Sequence, residues 1–286
     1  MRKGIVISFL GIDGIGKTTL AESLANDLES NGIEVVHSSW RRSLQTAPGP
    51  WPADALEQLW VEVFRLLYGG ARQRGQPMRL PHDYATWREQ DWEARIIRPE
   101  VSAAHPGGPL AAALVELAGN VILATEIITP AVQRGAIVVQ ESFPFKHAIK
   151  ELLISERIGG APELDHTRKQ IERLVIDFFE GPLMTPDIGI LVDGPIELAL
   201  KWRTAQEGTS GLLEDFGAAG EHGKDSFLAL QSRTADIYRR MARRWGWLVH
   251  SVNDSGLERN VRRGLDLIYN QPQLQNLLIP DHRAAS

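Results

Sequence analysis

The sequence contains no cysteine, so disulfide frameworks and thiolate metal sites are excluded. Histidine is sparse: His37, His147 and His250 fall singly near strand-like runs, and no zinc-type spacing exists. Neither sign of charge dominates, with 31 Lys and Arg against 36 Asp and Glu over 286 residues. A basic face announcing nucleic acid is missing. The one compact basic run, Arg239-Arg240 with Arg243-Arg244, lies on a helical pattern and reads as a solvated face. No stretch reads as membrane-spanning, and the N-terminal "IVISFL" is too short for a signal core. These absences predict a cytoplasmic protein with no membrane and no nucleic-acid partner. The guanine-reading pattern N-K-x-D is also absent, which sets ATP ahead of GTP as a nucleotide.

What is present is an alternation of short apolar runs with helical patterns. "GIVISFL" (4–10), "IEVVHS" (33–38), "GAIVVQ" (135–140), "DIGILVD" (187–193) and "GWLVHS" (246–251) read as strands. Helical patterns run over 17–30, about 110–134 with an interruption at Pro130, about 163–179, and 225–245. Strands apolar throughout, with helices between them, predict an α/β fold with a parallel sheet covered on both faces. Residues 45–109 depart from that rhythm. They are rich in proline (Pro48, Pro50, Pro52, Pro77, Pro81, Pro99, Pro106, Pro109) and carry Trp51, Trp60, Trp87 and Trp92. We read them as an inserted helical cap, with helices near 53–68 and 84–97. One domain over 1–270 is expected, followed by a polar, fraying tail at 271–286.

The stretch "GIDGIGKT" (11–18) fits the pattern G-x-x-x-x-G-K-[ST], with a strand before it and a helix after. Gly11, Gly14 and Gly16 let the backbone around Ile15 turn its N–H groups onto an anion, and the following helix adds its positive end. Lys17 is placed to reach the β- and γ-phosphates, the Thr18 hydroxyl to coordinate Mg²⁺, and Thr19 to line the same turn. Asp13 is out of character in an anion-binding loop. It either turns away to cap a local N–H or stands near Mg²⁺ or an acceptor hydroxyl. Glu141, ending the third strand, suits a Mg²⁺-water ligand or a general base.

The ordered set resembles the thymidylate kinase family. The loop has that family's Asp and doubled Thr, and "EIITPAVQRGAIVVQESF" (126–143), "PDIGILVDGPIELAL" (186–200) and "SFLALQSRTADIYRRMARRWGWLVHSVNDSGLERNV" (226–261) follow in order. The resemblance implies a P-loop kinase fold with a five-stranded parallel sheet in order 2-3-1-4-5 and a mobile lid, here about 205–225. It also implies ATP and Mg²⁺ as cofactors, a nucleotide, nucleoside or related small hydroxylated metabolite as acceptor, and a homodimer. The dimer helix would be 110–134, presenting Leu110, Leu114, Leu117, Val121 and Ile128.

The acceptor determinants differ. Where the family has Asp-Arg, this chain has Glu141-Ser142, and Asn120 and Glu151 stand at two further acceptor positions. A hydroxyl or an amide does not replace a bidentate guanidinium on phosphate. Arg41 and Arg42, in "SSWRRS" (38–43), are the candidates to compensate, with Lys146 and His147 as weaker ones. Trp40 and Phe143 could stack on a ring or belong to the core. The lid contains no arginine, so Arg203 at its start or Lys224 within it would supply charge at the γ-phosphate. Its glycines, Gly208, Gly211, Gly217, Gly220 and Gly223, fit a hinge. Two functions follow as expectations: a Mg²⁺-ATP-dependent kinase, or a nucleotide-binding regulatory protein without efficient transfer.

Overall fold

The centre of the molecule is a set of short strands buried on both faces. The computed structural model describes residues 3–46, 50–73, 75–96, 106–207 and 211–278. In chain order its elements are β1 (Val6–Leu10), α1 (Lys17–Ser30), β2 (Val35–His37), α2 (Trp40–Thr46) and α3 (Pro50–Leu67), then a small hairpin of β3 (Arg72–Gln73) and β4 (Gln76–Pro77). After these come α4 (Tyr84–Glu89), α5 (Trp92–Arg95), α6 (Gly107–Ile122), a π-helical segment Leu123–Ile128, α7 (Thr129–Gln133), β5 (Ile137–Gln140), α8 (Phe145–Ile158) and α9 (Pro162–Glu180). The chain continues through β6 (Ile188–Asp193), α10 (Ile196–Glu207), α11 (Lys224–Trp245), β7 (Leu248–Ser251), α12 (Leu257–Tyr269) and α13 (Pro272–Leu278). Pro48, Pro99 and Gly208 lie outside the described residues, as does the end of the tail, 279–286.

The fold is α/β, with a five-stranded parallel sheet in the order β2-β5-β1-β6-β7 and helices on its flanks. With the hairpin strands left out of the count, those five strands run 2-3-1-4-5 in space. β1 sits in the middle, with Ile7 opposite Val139 on one side and Ile188 on the other. Ile7, Phe9, Leu10, Val138, Val139 and Ile190 are sealed from solvent, which is why these runs are apolar without alternation. The connection after β1 runs toward the β2 edge and the one after β5 crosses to β6 on the other side, so a crevice opens beyond the C-terminal ends of β1 and β5. The loop at 11–16 and the turn at 141–144 both empty into it.

After β5 the chain turns over 141–144 and Pro144 caps α8, where a proline's fixed φ and missing N–H are harmless. Three expectations need correction. The helix of 110–134 is not broken at Pro130. Its irregularity is the π-helical stretch just before, where proline's missing N–H displaces the hydrogen-bond ladder. The whole helical run 107–133 is long and apolar enough to cross a membrane by length and composition; here α6 packs against α3 and α8 and buries Glu116 and Asn120. The tail does not fray from 271, because α13 docks through the buried Leu274. The cap is helical, as its sequence predicts, with α4 and α5 split at Asp91, whose φ is +49°.

The proposed dimer seam is divided. Leu110 and Leu117 are buried within the chain, whereas Leu114 and Val121 are 41% and 38% exposed.

Candidate functional site

The loop after β1 has the backbone that its glycines demand. Gly14 (φ +77°) and Gly16 (φ +93°) occupy left-handed conformations, and a Cβ on Gly14 would stand 2.5 Å from the Ala199 carbonyl oxygen. Gly16 caps α1, so the helix's positive end points into the crevice. Ile15 anchors the loop in the core, Thr18 is exposed at its rim and Thr19 is half-buried beside it. Thr18 Oγ1 donates to Glu141 Oε1 at 3.3 Å. A hydroxyl and a carboxylate so placed are an all-oxygen pair suited to a hard cation such as Mg²⁺. Among the described residues no three His, Asp or Glu side chains gather into a metal cluster.

Asp13 is neither turned away nor open to an acceptor. It is buried, and its carboxylate holds two lysines of α8: Lys146 Nζ at 2.6 Å from Oδ1, and Lys150 Nζ on Oδ2. Gln231 of α11 completes the grip, donating to Oδ2 at 3.0 Å and accepting the Asp13 N–H at 3.1 Å. Burial alone would raise the Asp13 pKa, but Lys146, then Lys150 and Lys17, hold it well below the usual carboxylate range. A carboxylate so held is a weak base. In this structure it gathers cations.

Lys17 lies in the same buried cluster, donating to the Ile12 carbonyl at 2.6 Å. Burial and then repulsion from Lys146 pull it down to about 7. Burial lowers Lys150 to about 8, with Asp13 only partly offsetting it. Lys146 is opposed by burial too, but the Asp13 carboxylate outweighs that and raises it above the ordinary lysine value. Three lysines thus gather at one buried carboxylate, with the Glu214 carboxylate acting on the same group from further off. Such an excess of positive charge is a site for an anion.

Beside the cluster opens a cleft of about 370 Å³ between α2, α3, α6 and the start of α8. Trp40, Arg41, Arg42, Asn120 and Glu141 all line it, together with Lys146 and His147. Trp40 forms its wall, held by an Nε1–H bond to the Leu56 carbonyl at 3.1 Å and seated on Gly119, where any Cβ would collide with the ring. Arg41 lies over Trp60 and pairs with Glu93 of the cap. The Ser142 hydroxyl and the Trp60 Nε1–H, both in this lining, are buried with no hydrogen-bond partner among the described residues. The Asn120 amide donates to the Glu116 carbonyl of its own helix at 2.7 Å. His147 Nδ1 lies 3.3 Å from the buried Glu116 carboxylate.

Phe143, by contrast, is core. It packs edge-on against Phe179, Trp245 and Trp247 and does not face the cleft. Glu151 is also out of reach: it is fully buried, both oxygens lack partners, and burial and then Glu116 push its pKa well above the ordinary value.

The segment read as a hinged lid is packed where it is described. Glu214, Asp215, Phe216, Gly217 and Ala218 are buried. Arg203 is committed to Glu214 through two contacts, at 2.8 and 2.5 Å, and Gln231 donates to the Glu214 carbonyl at 2.8 Å. Lys224 is exposed at the first residue of α11. Sequence reasoning missed Lys150 and Gln231 altogether. Lys150 was legible only as a charge breaking the apolar pattern of a buried helix, and Gln231 carried no signal of its own. Compared with protein-family models the chain matches none, and no curated protein matches it.

Proposed function

We propose that this protein is a Mg²⁺-ATP-dependent phosphotransferase of the P-loop kinase type, similar to the thymidylate kinase family, with a small hydroxylated molecule as acceptor. The observation that carries this reading is the buried group of three lysines about one carboxylate, facing the glycine turn and the N-terminus of α1. A triphosphate chain supplies the anionic charge that group lacks, with backbone N–H groups as further donors. Thr18 and Glu141 would hold Mg²⁺, and the ion would neutralise charge on the phosphate groups. The adjoining cleft, with Glu141 and Lys146 on its wall, suits the acceptor. Its unpaired Ser142 hydroxyl and Trp60 N–H favour an acceptor rich in hydrogen-bonding groups.

The experiment is titration of MgATP into the wild-type protein and Lys17→Ala, followed by an ATP-consumption screen over nucleosides, nucleoside monophosphates and sugars. Micromolar binding lost in Lys17→Ala, together with turnover on one acceptor class, is the expected result. Absence of MgATP binding to the wild type would overturn the reading. Tight binding with no transfer to any acceptor would favour a regulatory nucleotide-binding protein.

A further inference from the structure

We propose that Lys146 is a catalytic cation that stabilises the phosphoryl group in flight between the loop and the acceptor cleft. This presupposes the phosphotransfer reading above. Among the described residues, Lys146 is the one cation that both contacts the loop carboxylate and lines the cleft. Lys150, one helical turn further along α8, holds the other Asp13 oxygen from behind, is 1% exposed, and is not part of the cleft wall. Lys146 itself is 13% exposed, so its ammonium sits at the mouth between the two spaces. Asp13 takes one of its three N–H donors and leaves the others directed by the same short tether.

The other candidate cations lack that double placement, and Arg41 and Arg42 line the cleft from α2. Arg203 is locked onto Glu214, Arg41 is paired with Glu93, and Lys224 is exposed on α11. Lys17, buried and donating to the Ile12 carbonyl at 2.6 Å, sits in the same cluster as Lys146, which holds Asp13 at 2.6 Å. Two ammonium groups forced together in a buried pocket are relieved by one anion lying between them. A transferring phosphoryl, with charge on its equatorial oxygens, is such an anion.

The step balances without a further reagent beyond the nucleoside triphosphate. The acceptor oxygen forms a bond to the γ-phosphorus as the bond from that phosphorus to the β,γ-bridging oxygen breaks. The electron pair of the broken bond stays on the departing diphosphate. The hydroxyl proton passes to Oε2 of Glu141, the carboxylate oxygen not engaged by Thr18, on the residue that lines the cleft. Lys146 donates to the equatorial oxygens throughout and gives up no proton.

The test needs no knowledge of the acceptor. MgADP is titrated calorimetrically into the full-length protein with and without aluminium fluoride, a mimic of the transferring group. In the wild type, fluoride should tighten MgADP at least about 100-fold, as transition-state analogues do. Lys146→Met should lose that tightening, read as the ratio of its own MgADP affinities with and without fluoride, because the contact gains strength when the group is in flight. Lys146→Arg should retain most of it. Lys146→Gln keeps a hydrogen bond to Asp13, so a folding defect in the Met variant does not end the test. Full tightening in Lys146→Gln or Lys146→Met overturns the proposal, and so does a wild type that binds MgADP with no response to fluoride. A wild type that fails to bind MgADP at all overturns the functional reading beneath it.

Discussion

Gln231 holds Asp13 by both ends: it donates to the carboxylate at 3.0 Å and accepts the backbone N–H at 3.1 Å, from 218 residues away in sequence. The same amide donates to the Glu214 carbonyl at 2.8 Å, so one side chain ties the glycine loop to the segment that packs over it. Gln231 is fully buried, and nothing else described replaces it on those atoms. Gln231→Ala should therefore strand a buried N–H and a buried carbonyl and destabilise the fold by about 2–4 kcal/mol. Nucleotide affinity should fall with it, because the loop loses its anchor. Urea unfolding and MgATP titration check both effects. A variant within ~1 kcal/mol of wild type would show that the loop holds its shape without α11.

The buried lysines make a prediction about protons. Lys17 titrates at about 7 and Lys150 at about 8 in the free protein, both below the ordinary value of 10.5. The folded state thus binds fewer protons than the unfolded chain between about 7 and 10.5, and its stability rises with pH across that window. A bound phosphate favours the charged forms, so nucleotide binding at pH 8 should take up protons, up to about one from Lys17 alone. Calorimetry in buffers of different ionisation enthalpy measures that uptake. Lys17→Arg, which cannot lose its charge, should reduce it sharply. Equal uptake in the variant would mean that another group carries the proton.

Glu151 moves stability the other way. Its folded pKa is raised well above 4.5, by burial first and then by Glu116. The folded state then holds a proton that the unfolded chain has lost, so the contribution is whole below about 4.5 and fades as pH rises toward the folded value. Glu151→Leu removes two unpartnered oxygens from the interior. It should raise stability at pH 7 by about 1–3 kcal/mol and flatten the profile above pH 5. Thermal unfolding from pH 5 to 8 is the measurement. A destabilised Leu variant would mean that the carboxyl is held by a partner, such as an ordered water.

How much of this was legible depended on whether local chemistry or tertiary packing set each feature. The strands and the glycine loop were readable because their constraints are local: apolar runs, glycines at positive φ, and a lysine and threonine at fixed spacing. The cation cluster was not. Lys146 and Lys150 fall on one face of α8, but that helix was hidden by Pro144 and by charges at buried positions where an apolar stripe was expected. Phe143 reads equally as a stacking platform or as core, and only the arrival of Phe179, Trp245 and Trp247 decides it. The commitment of Arg203 to Glu214 arises across a loop and could not be read from either residue alone.

The last prediction concerns the acceptor. Two positions at which the resembled family carries phosphate-binding arginine are Asn120 and Ser142 in this chain. Asn120 spends its amide on the Glu116 carbonyl of its own helix, and the Ser142 hydroxyl is neutral. Neither can offer a bidentate guanidinium to a monophosphate. Each lost contact is worth about 1.5–3 kcal/mol, and two together are about a hundredfold or more. From the ~10⁵ M⁻¹s⁻¹ of an ordinary metabolic enzyme, kcat/KM on thymidine monophosphate should fall to roughly 10³ M⁻¹s⁻¹ or below. An unphosphorylated acceptor needs no such clamp, only Glu141 near its reacting hydroxyl. Steady-state rates on thymidine monophosphate beside a panel of nucleosides decide the matter. Turnover of the monophosphate near 10⁵ M⁻¹s⁻¹ would require another cation on its phosphate. Arg42, on the cleft wall, is then the residue to replace: Arg42→Ala should raise KM for the monophosphate at least about tenfold and leave the KM of an unphosphorylated acceptor unchanged.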